Sequence, residues 1–202
     1  MKKSTIIILA SVAAFLILFI IIPVSVGIST YNRLVTSEET VNSQWAHVES
    51  QYQRRADLIP NLVATVKGYA THESSTLEGV MAARAKATQI TIDPKNLTPE
   101  RLQQYQAAQG QVGMALNKLM VVSENYPNLK ANENFLELQA QLEGTENRIS
   151  VERNRFNDDA KSFNTSIRHF PTSIIANITG FAKKPYFEAE KGSEKAPTVN
   201  FK

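Results

Sequence analysis

The chain has 202 residues, enough for one ordinary domain and an appendage, with no cysteine and 22 Lys and Arg residues against 19 Asp and Glu. The absence of cysteine excludes disulfides, thiolate zinc sites and a cysteine nucleophile. Lys2 and Lys3 precede a long apolar run, and the rest of the chain carries 20 basic and 19 acidic residues. This balance leaves no cationic surplus for binding nucleic acid.

The first predicted element is a membrane-crossing helix over residues 5–28. This stretch has about 24 residues and no charged side chain, whereas about 20 apolar residues cross a bilayer and a signal-peptide core has about 7 to 15. Residues 25–27 include small side chains that a signal peptidase accepts, but the length of the run favours a retained anchor. Two lysines precede the run and only Arg33 follows it closely, so the positive-inside rule predicts that residues 1–4 are cytoplasmic and the bundle lies outside.

Beyond the span, apolar residues recur every three or four positions, which predicts a helix. They are Leu34, Val41, Trp45, Val48, Tyr52 and Ile59. Thr36 and Glu39 have the spacing of a capping box that starts a separate helix, and the alternative is one helix continuous with the anchor. Pro60 lacks an N–H, so we expect it to bend or restart the helix, whose apolar face then continues to about Gln89.

Two further helices are predicted after a turn-rich connector at residues 91–98. Thr98 is suited to cap the first of them, whose apolar face runs to a break at residues 126–129. The last helix has apolar residues at spacings of three, four and seven, which is typical of a heptad repeat. They are Phe135, Leu138, Leu142, Ile149, Phe156, Phe163, Ile167 and Phe170. We expect Pro171 to end this helix, followed by a short helical turn and a flexible tail over residues 181–202.

No strand-like alternation competes with these helical patterns. The sequence therefore predicts an all-α fold, in which an N-terminal transmembrane helix is followed by an elongated antiparallel bundle of three to four long helices over residues 29–180. We interpret the apolar seam as the internal core of this bundle. The alternative is that a coiled-coil seam of this kind mediates self-association.

The sequence predicts no catalytic residue, cofactor or metal site. His47, His72 and His169 lack the spacing that brings two imidazoles to one metal, and the His-Glu pair at residues 72–73 is not followed by the second histidine of a zinc-protease helix. A glycine-rich phosphate loop and a nucleophile elbow are also missing from the sequence. We therefore predict that the chain is not an enzyme.

Two dense polar blocks, at residues 51–57 and 152–159, form the candidate site. The candidate residues in and beside these blocks are Arg54, Arg55, Asp57, Pro60, Asn61, Arg153, Asn154, Asn157 and Asp158. If the two helices pack together, an arginine of the first block could pair with Asp158 or Asp159, and the asparagines of the second could bind carbonyls freed near the proline. We interpret the set as a structural network. The alternative is a recognition surface for a partner protein or a lipid headgroup.

The sequence resembles the LemA family along nearly its whole length. The motifs that carry the resemblance are YNRLV at 31–35, QYQRRADLIPNLV at 51–63, VKGYATHE at 66–73, ENYPNLK at 124–130, FLELQ at 135–139, ENRI at 146–149, RNRFN at 153–157 and HFP at 169–171. Phe156 departs from the pattern, because the family commonly has a tyrosine there. The resemblance implies a bacterial membrane protein with an N-terminal membrane helix and an antiparallel helical bundle, and it implies no activity.

These observations predict a single-pass bacterial membrane protein that contacts the lipid bilayer through residues 5–28. Its predicted role is that of a non-catalytic scaffold or adaptor for a membrane-protein partner. The alternative is a homo-oligomeric structural protein that organises or shapes a bacterial membrane. No nucleic-acid partner is expected from the charge balance.

Overall fold

The structure, a computed structural model, describes residues 3–188, which contain six α-helices and no strand. The helices are α1 (Lys3–Lys67), α2 (Ser74–Thr88), α3 (Pro99–Ser123), α4 (Pro127–Lys130), α5 (Glu133–Ser166) and α6 (Thr172–Thr179). A 3₁₀ turn, Pro94–Asn96, lies between α2 and α3. The predicted all-α fold is confirmed.

The described residues form two compact units, one of residues 3–41 and 161–183 and the other of residues 42–160 and 184–188. The first unit contains the apolar N-terminal part of α1. Among the described residues, α1 is the one helix that is long and apolar enough to cross a membrane. Whether residues 189–202 form the predicted flexible tail lies outside the described residues.

The second unit is a bundle whose helix directions follow from four contacts. Trp45 packs on Phe156, and Arg55, ten residues later on α1, binds Glu146, ten residues earlier on α5. These two helices are therefore antiparallel. Arg55 also binds Gln109, whereas Trp45 packs on Tyr105, so α1 and α3 run in the same direction. The predicted antiparallel packing is thereby confirmed for α1 and α5.

The predicted apolar seam is the core of the structure. All six seam residues of α1 between Leu34 and Ile59 are at most 5% exposed. On α5, the predicted seam residues Phe135, Leu142, Ile149, Phe156 and Phe163 are buried and Leu138 is half-buried, and Thr145 and Ala160 are buried at positions where the apolar repeat is interrupted. The heptad spacing therefore marked the buried face of α5 correctly.

The structure decides between the two alternatives at Thr36 and corrects the predicted helix boundary after Pro60. α1 is continuous with the anchor, and Thr36 donates to the Asn32 carbonyl within the helix instead of capping a new one. α1 also continues through Pro60, ends at Lys67, and is separated from α2 by a turn, so the predicted single apolar face to Gln89 is wrong. The spacing misled because Ala70, in the turn, is fully buried and continues the apolar pattern across the break.

The C-terminal part of α5 and the segment after α6 also depart from the prediction. α5 ends at Ser166, before Pro171, and Phe170 is 82% exposed instead of lying in the seam. Residues 184–188, which were predicted to belong to a flexible tail, pack into the second unit, where Phe187 is only 6% exposed. We call residues 184–188 the C-terminal arm.

Candidate functional site

Arg55 is the centre of a polar network that ties three helices of the second unit together. Its side chain is buried, and its Nη1 lies 2.8 Å from the carboxylate of Glu146 on α5. Its Nη2 donates to the backbone carbonyl and to the Oε1 of Gln109 on α3, at 3.0 and 2.7 Å. A planar guanidinium with several fixed donors can bind two helices at once, which a lysine cannot do with the same geometry.

The two polar blocks meet at Tyr52. Arg55 lies 5.1 Å from the centre of the Tyr52 ring, and burial raises the pKa of the Tyr52 hydroxyl against the opposing effects of the Arg153 and Arg55 guanidinium groups. Arg153 therefore approaches the first block through a tyrosine. The pairing that we expected, between an arginine of the first block and Asp158 or Asp159, does not form for Arg55, which binds Glu146 instead.

The remaining candidate residues have different surroundings. Arg54, Asp57, Asn61, Asn154 and Asp158 have exposed side chains, and the Asp57 carboxylate accepts a hydrogen bond from Gln53 on the same helix. Pro60 is half-buried within α1. The structure thus brings Arg55 and Arg153 together around Tyr52 and leaves these five polar side chains on the surface of the bundle.

Arg84, which the sequence did not single out, satisfies the carbonyl that Pro60 leaves free. A proline at position 60 has no N–H to donate to the carbonyl four residues earlier, which belongs to Ala56. The Nε of Arg84, on α2, donates to that carbonyl at 2.6 Å. We expected Asn154 and Asn157 to serve this purpose, and that expectation was wrong because α2 is the helix beside the proline turn.

The Arg84 bond leads to a double-mutant prediction. Arg84→Met is expected to lower the free energy of unfolding by about 1 to 3 kcal/mol, because it leaves the Ala56 carbonyl without its partner. In the Pro60→Ala background, the new N–H can bind the same carbonyl, so Arg84→Met should cost less. Chemical denaturation of the four proteins measures this coupling. Equal costs in the two backgrounds would show that Arg84 acts through packing alone.

Asn157 and Arg153 hold the C-terminal arm. The Asn157 side chain accepts from the Phe187 N–H at 2.8 Å and donates to the Phe187 carbonyl at 2.9 Å. Arg153 donates to the Glu188 carbonyl at 2.9 Å and lies 5.0 Å from the centre of the Phe187 ring. That ring stacks on Trp45 at 5.8 Å. These two candidate residues therefore hold an extended segment against the bundle.

Glu49 lies near this aromatic cluster and is partly withdrawn from water. Burial raises the pKa of its carboxyl group, and an interaction with the Trp45 side chain opposes part of that effect. Because the pKa in the folded state lies above the ordinary value of 4.5, ionisation of Glu49 disfavours folding once the pH exceeds both values. Below pH 4.5 the carboxyl is protonated in both states and the penalty is absent.

Glu49→Gln is therefore expected to raise the melting temperature at pH 7, with a gain that shrinks as the pH falls through the folded-state pKa toward 4.5. The amide oxygen can still face the Trp45 side chain, so the substitution removes the charge and keeps the shape. Thermal unfolding at several pH values measures the effect. A gain that stays the same across the pH range would contradict a penalty from ionisation.

An open groove lies beside the Arg55 network. Its volume is about 570 Å³, which lies within the range of about 300 to 1,000 Å³ typical of ligand pockets. Residues of α1, α3 and α5 line it. Leu116, Met120 and Leu142 contribute apolar surface, and Met114 is 67% exposed. On the α3 side, a β-carbon on Gly113 would meet no atom within 4 Å. The groove can therefore admit the backbone of another segment close to α3.

One of the residues that the sequence analysis missed had a visible signal. Gln109 is buried beside Ala108 on α3, four residues after Tyr105 and three before Val112, so it lies on the apolar seam of its helix. A polar residue at a seam position predicts a buried partner such as Arg55. Glu146 and Arg84 had no comparable signal in the sequence. Their long side chains reach their partners from positions that the apolar periodicity of α5 and α2 does not mark.

Comparison with known proteins places this geometry in a family. Residues 44–201 match the family model described as LemA family. The chain belongs to the LemA family. The match includes the Arg55 network, the groove and the C-terminal arm of this LemA-family protein.

The individual relatives of this LemA-family protein share about a quarter of its residues. It is 26% identical over 186 residues to magnetosome protein MamQ of Magnetospirillum gryphiswaldense, an alignment that covers 84% of this chain and 68% of that protein. Magnetosome protein MamQ 2 of Paramagnetospirillum magneticum has the same identity and coverage. Protein LemA of Metamycoplasma hominis is 24% identical over 181 residues, which are 88% of this chain and 79% of that protein.

Proposed function

We propose that this LemA-family protein is a membrane-tethered, non-catalytic adaptor whose groove beside Arg55 binds a helical segment of a partner membrane protein. The tether is the apolar part of α1, which is long enough to cross a bilayer. The observation that carries the proposal is the open groove between α3 and α5, next to a polar network whose donors are already engaged within the bundle.

The chemistry of the groove supports a helical occupant with an apolar face. Helix-in-groove recognition uses apolar anchors at helical spacing, and exposed methionines adapt to such surfaces because their side chains are flexible. Met114 supplies such surface, with the half-buried Met120 beside it in the groove lining, and the open space over Gly113 allows close approach. Glu143 and Arg153 line the same groove and offer opposite charges to the polar flanks of the occupant.

The structure also identifies where a crosslinking probe can be placed without disturbing the bundle. Arg55 is buried and Asn157 holds the C-terminal arm, so a bulky photoreactive residue at either position would disrupt the fold that it is meant to report on. Met114 is exposed in the groove and suits the probe. Ala82, exposed on α2 and outside the groove lining, is the matched control position.

In-cell photocrosslinking from position 114 is expected to give one discrete adduct with an identified membrane protein, crosslinked through an apolar segment, and position 82 is expected to give none. Adducts of equal yield from both positions would reflect random collisions and contradict the proposal. An adduct that contains only a second copy of this chain would overturn the adaptor and favour the homo-oligomeric structural role.

Two substitutions at Gly113 provide a steric test of the same groove. Gly113→Ala adds a methyl group into open space within a helix, so it is expected to raise the free energy of unfolding by about 0.5 to 1 kcal/mol. It should leave partner binding intact. Gly113→Trp fills the groove instead. Chemical denaturation checks the first expectation, and a loss of stability on introducing alanine would mean that the space over Gly113 is not open.

A further inference from the structure

Three large apolar side chains at and just before α6 are exposed. Phe170 is 82% exposed, Ile174 49% and Ile178 77%. They are spaced four residues apart, so Ile174 and Ile178 share one face of α6 and Phe170 comes one turn before them. Singly exposed apolar residues are ordinary on protein surfaces, but a contiguous set of this kind marks a contact surface.

α6 is held against the part of α1 where the apolar run ends. Ile175 Cδ1 lies 3.7 Å from the place that a β-carbon on Gly27 would occupy, and Arg33 donates to the Thr172 hydroxyl at 3.2 Å. At a rise of about 1.5 Å per residue, the six steps from Gly27 to Arg33 span about 9 Å. The headgroup region on each side of a bilayer is about 5 to 8 Å thick, so a membrane-crossing α1 places α6 in this layer.

The charges around α6 fit an anionic lipid surface. Residues 167–183 include Arg168 and Lys183 and contain neither aspartate nor glutamate. Basic side chains beside an apolar face are typical of helices that lie in the plane of the membrane interface, where the apolar face enters the boundary between headgroups and acyl chains.

We propose that α6, together with Phe170, is an interfacial lipid-binding element that inserts Phe170, Ile174 and Ile178 into an anionic bilayer beside the tether. This inference rests on the part of the proposed function in which α1 crosses the membrane. It adds a second lipid contact, and one that fixes the rotation of the unit about the axis of α1.

The test uses the full chain reconstituted into vesicles of phosphatidylcholine and phosphatidylglycerol. Since the chain has no cysteine, single substitutions allow clean labelling with an environment-sensitive fluorophore. Ile178→Cys probes the proposed element and Leu18→Cys probes the tether. Ser162→Cys, exposed on α5 in the same unit, is the control. Ile178 is largely exposed, so its replacement removes little packing within the protein.

The expected result is a blue-shifted emission at position 178 that nitroxide-labelled lipids quench, together with quenching at position 18 and water-like emission at position 162. Nitroxide-labelled phosphatidylglycerol should quench position 178 more than labelled phosphatidylcholine at the same fraction.

An unquenched probe at position 18 would refute the tether itself. Quenching at 18 without quenching at 178 overturns only the interfacial element, and a blue shift at 178 that lipids do not quench means that protein covers it. Equal quenching by the two lipids overturns the preference for anionic headgroups.

Discussion

Replacing Arg55 with methionine is expected to lower the free energy of unfolding by about 2 to 4 kcal/mol. Methionine keeps much of the apolar stem, but it removes the donors that bind Glu146 and both oxygens of Gln109. Those acceptors, on two different helices, then lose their shared partner inside the bundle. Urea unfolding of the full chain in detergent micelles, followed by the fluorescence of the single tryptophan, measures the loss.

Two neighbouring substitutions separate the network from a general effect of charge. Arg54→Met should change the free energy of unfolding by no more than about 0.5 kcal/mol, because Arg54 is exposed. Glu146→Gln should cost about 1 kcal/mol or less, because Glu146 is 59% exposed and its amide oxygen still accepts from Arg55. Similar losses for Arg54→Met and Arg55→Met would contradict a specific buried network.

Phe187→Ala is expected to lower the free energy of unfolding by about 3 kcal/mol, because the ring is buried between Trp45, Phe156 and Arg153. The tryptophan emission should also shift to longer wavelength, since Trp45 loses the ring that stacks on it. The same urea unfolding experiment, with emission spectra of the folded protein, provides both measurements.

Tyr186→Ala is the matched control for the arm. Tyr186 is 36% exposed, and its removal should cost no more than about 1 kcal/mol. If Phe187→Ala behaves like Tyr186→Ala in both stability and emission, the arm does not contribute to the core. If only Phe187→Ala is destabilising, residues 184–188 belong to the fold and not to a tail.

Much of the helical fold could be predicted because apolar residues recur every three or four positions along the buried face of a helix. The seam from Leu34 to Ile59 and the heptads of α5 gave the buried faces directly, and the Thr98 cap gave the start of α3. The break after Lys67 could not be predicted in the same way. Apolar residues continue through the turn, where Ala70 is buried, so the pattern of burial does not distinguish a turn from a helix there.

The C-terminal arm was missed for a related reason. Phe187 is the only large apolar side chain of residues 184–188 that is buried, and a single buried apolar residue has no periodicity to reveal it. Its position depends on Asn157 and Arg153, which are about 30 residues away in the sequence. Tertiary contacts of this kind order a segment whose local composition is typical of disorder.

The contacts of the candidate residues could not be predicted from the sequence. Arg55 and Arg153 do approach each other around Tyr52, but the acidic partner of Arg55 is Glu146 and the carbonyl freed by Pro60 is bound by Arg84. The register between neighbouring helices determines which residues lie within reach of a long side chain. That register depends on where α1 ends and α2 begins, which the sequence did not reveal.

The groove gives the polar network a role in the proposed function. Because Arg55 is already bound to Gln109 and Glu146, it fixes α3 and α5 on either side of the groove and keeps the groove at a defined width. Gly113 and Met114 then form the surface that an incoming helix meets. Adaptor binding should therefore depend on the shape of the groove and not on the exposed charges of Arg54, Asp57 or Asp158.

The most direct test of the adaptor is the yield of the partner crosslink from position 114 in Gly113→Trp compared with Gly113→Ala, in cells that contain equal amounts of the two proteins. We expect the alanine variant to keep the adduct and the tryptophan variant to lose it, because only the larger side chain fills the groove. An undiminished adduct in a folded Gly113→Trp protein would contradict it and place the binding surface elsewhere on the bundle.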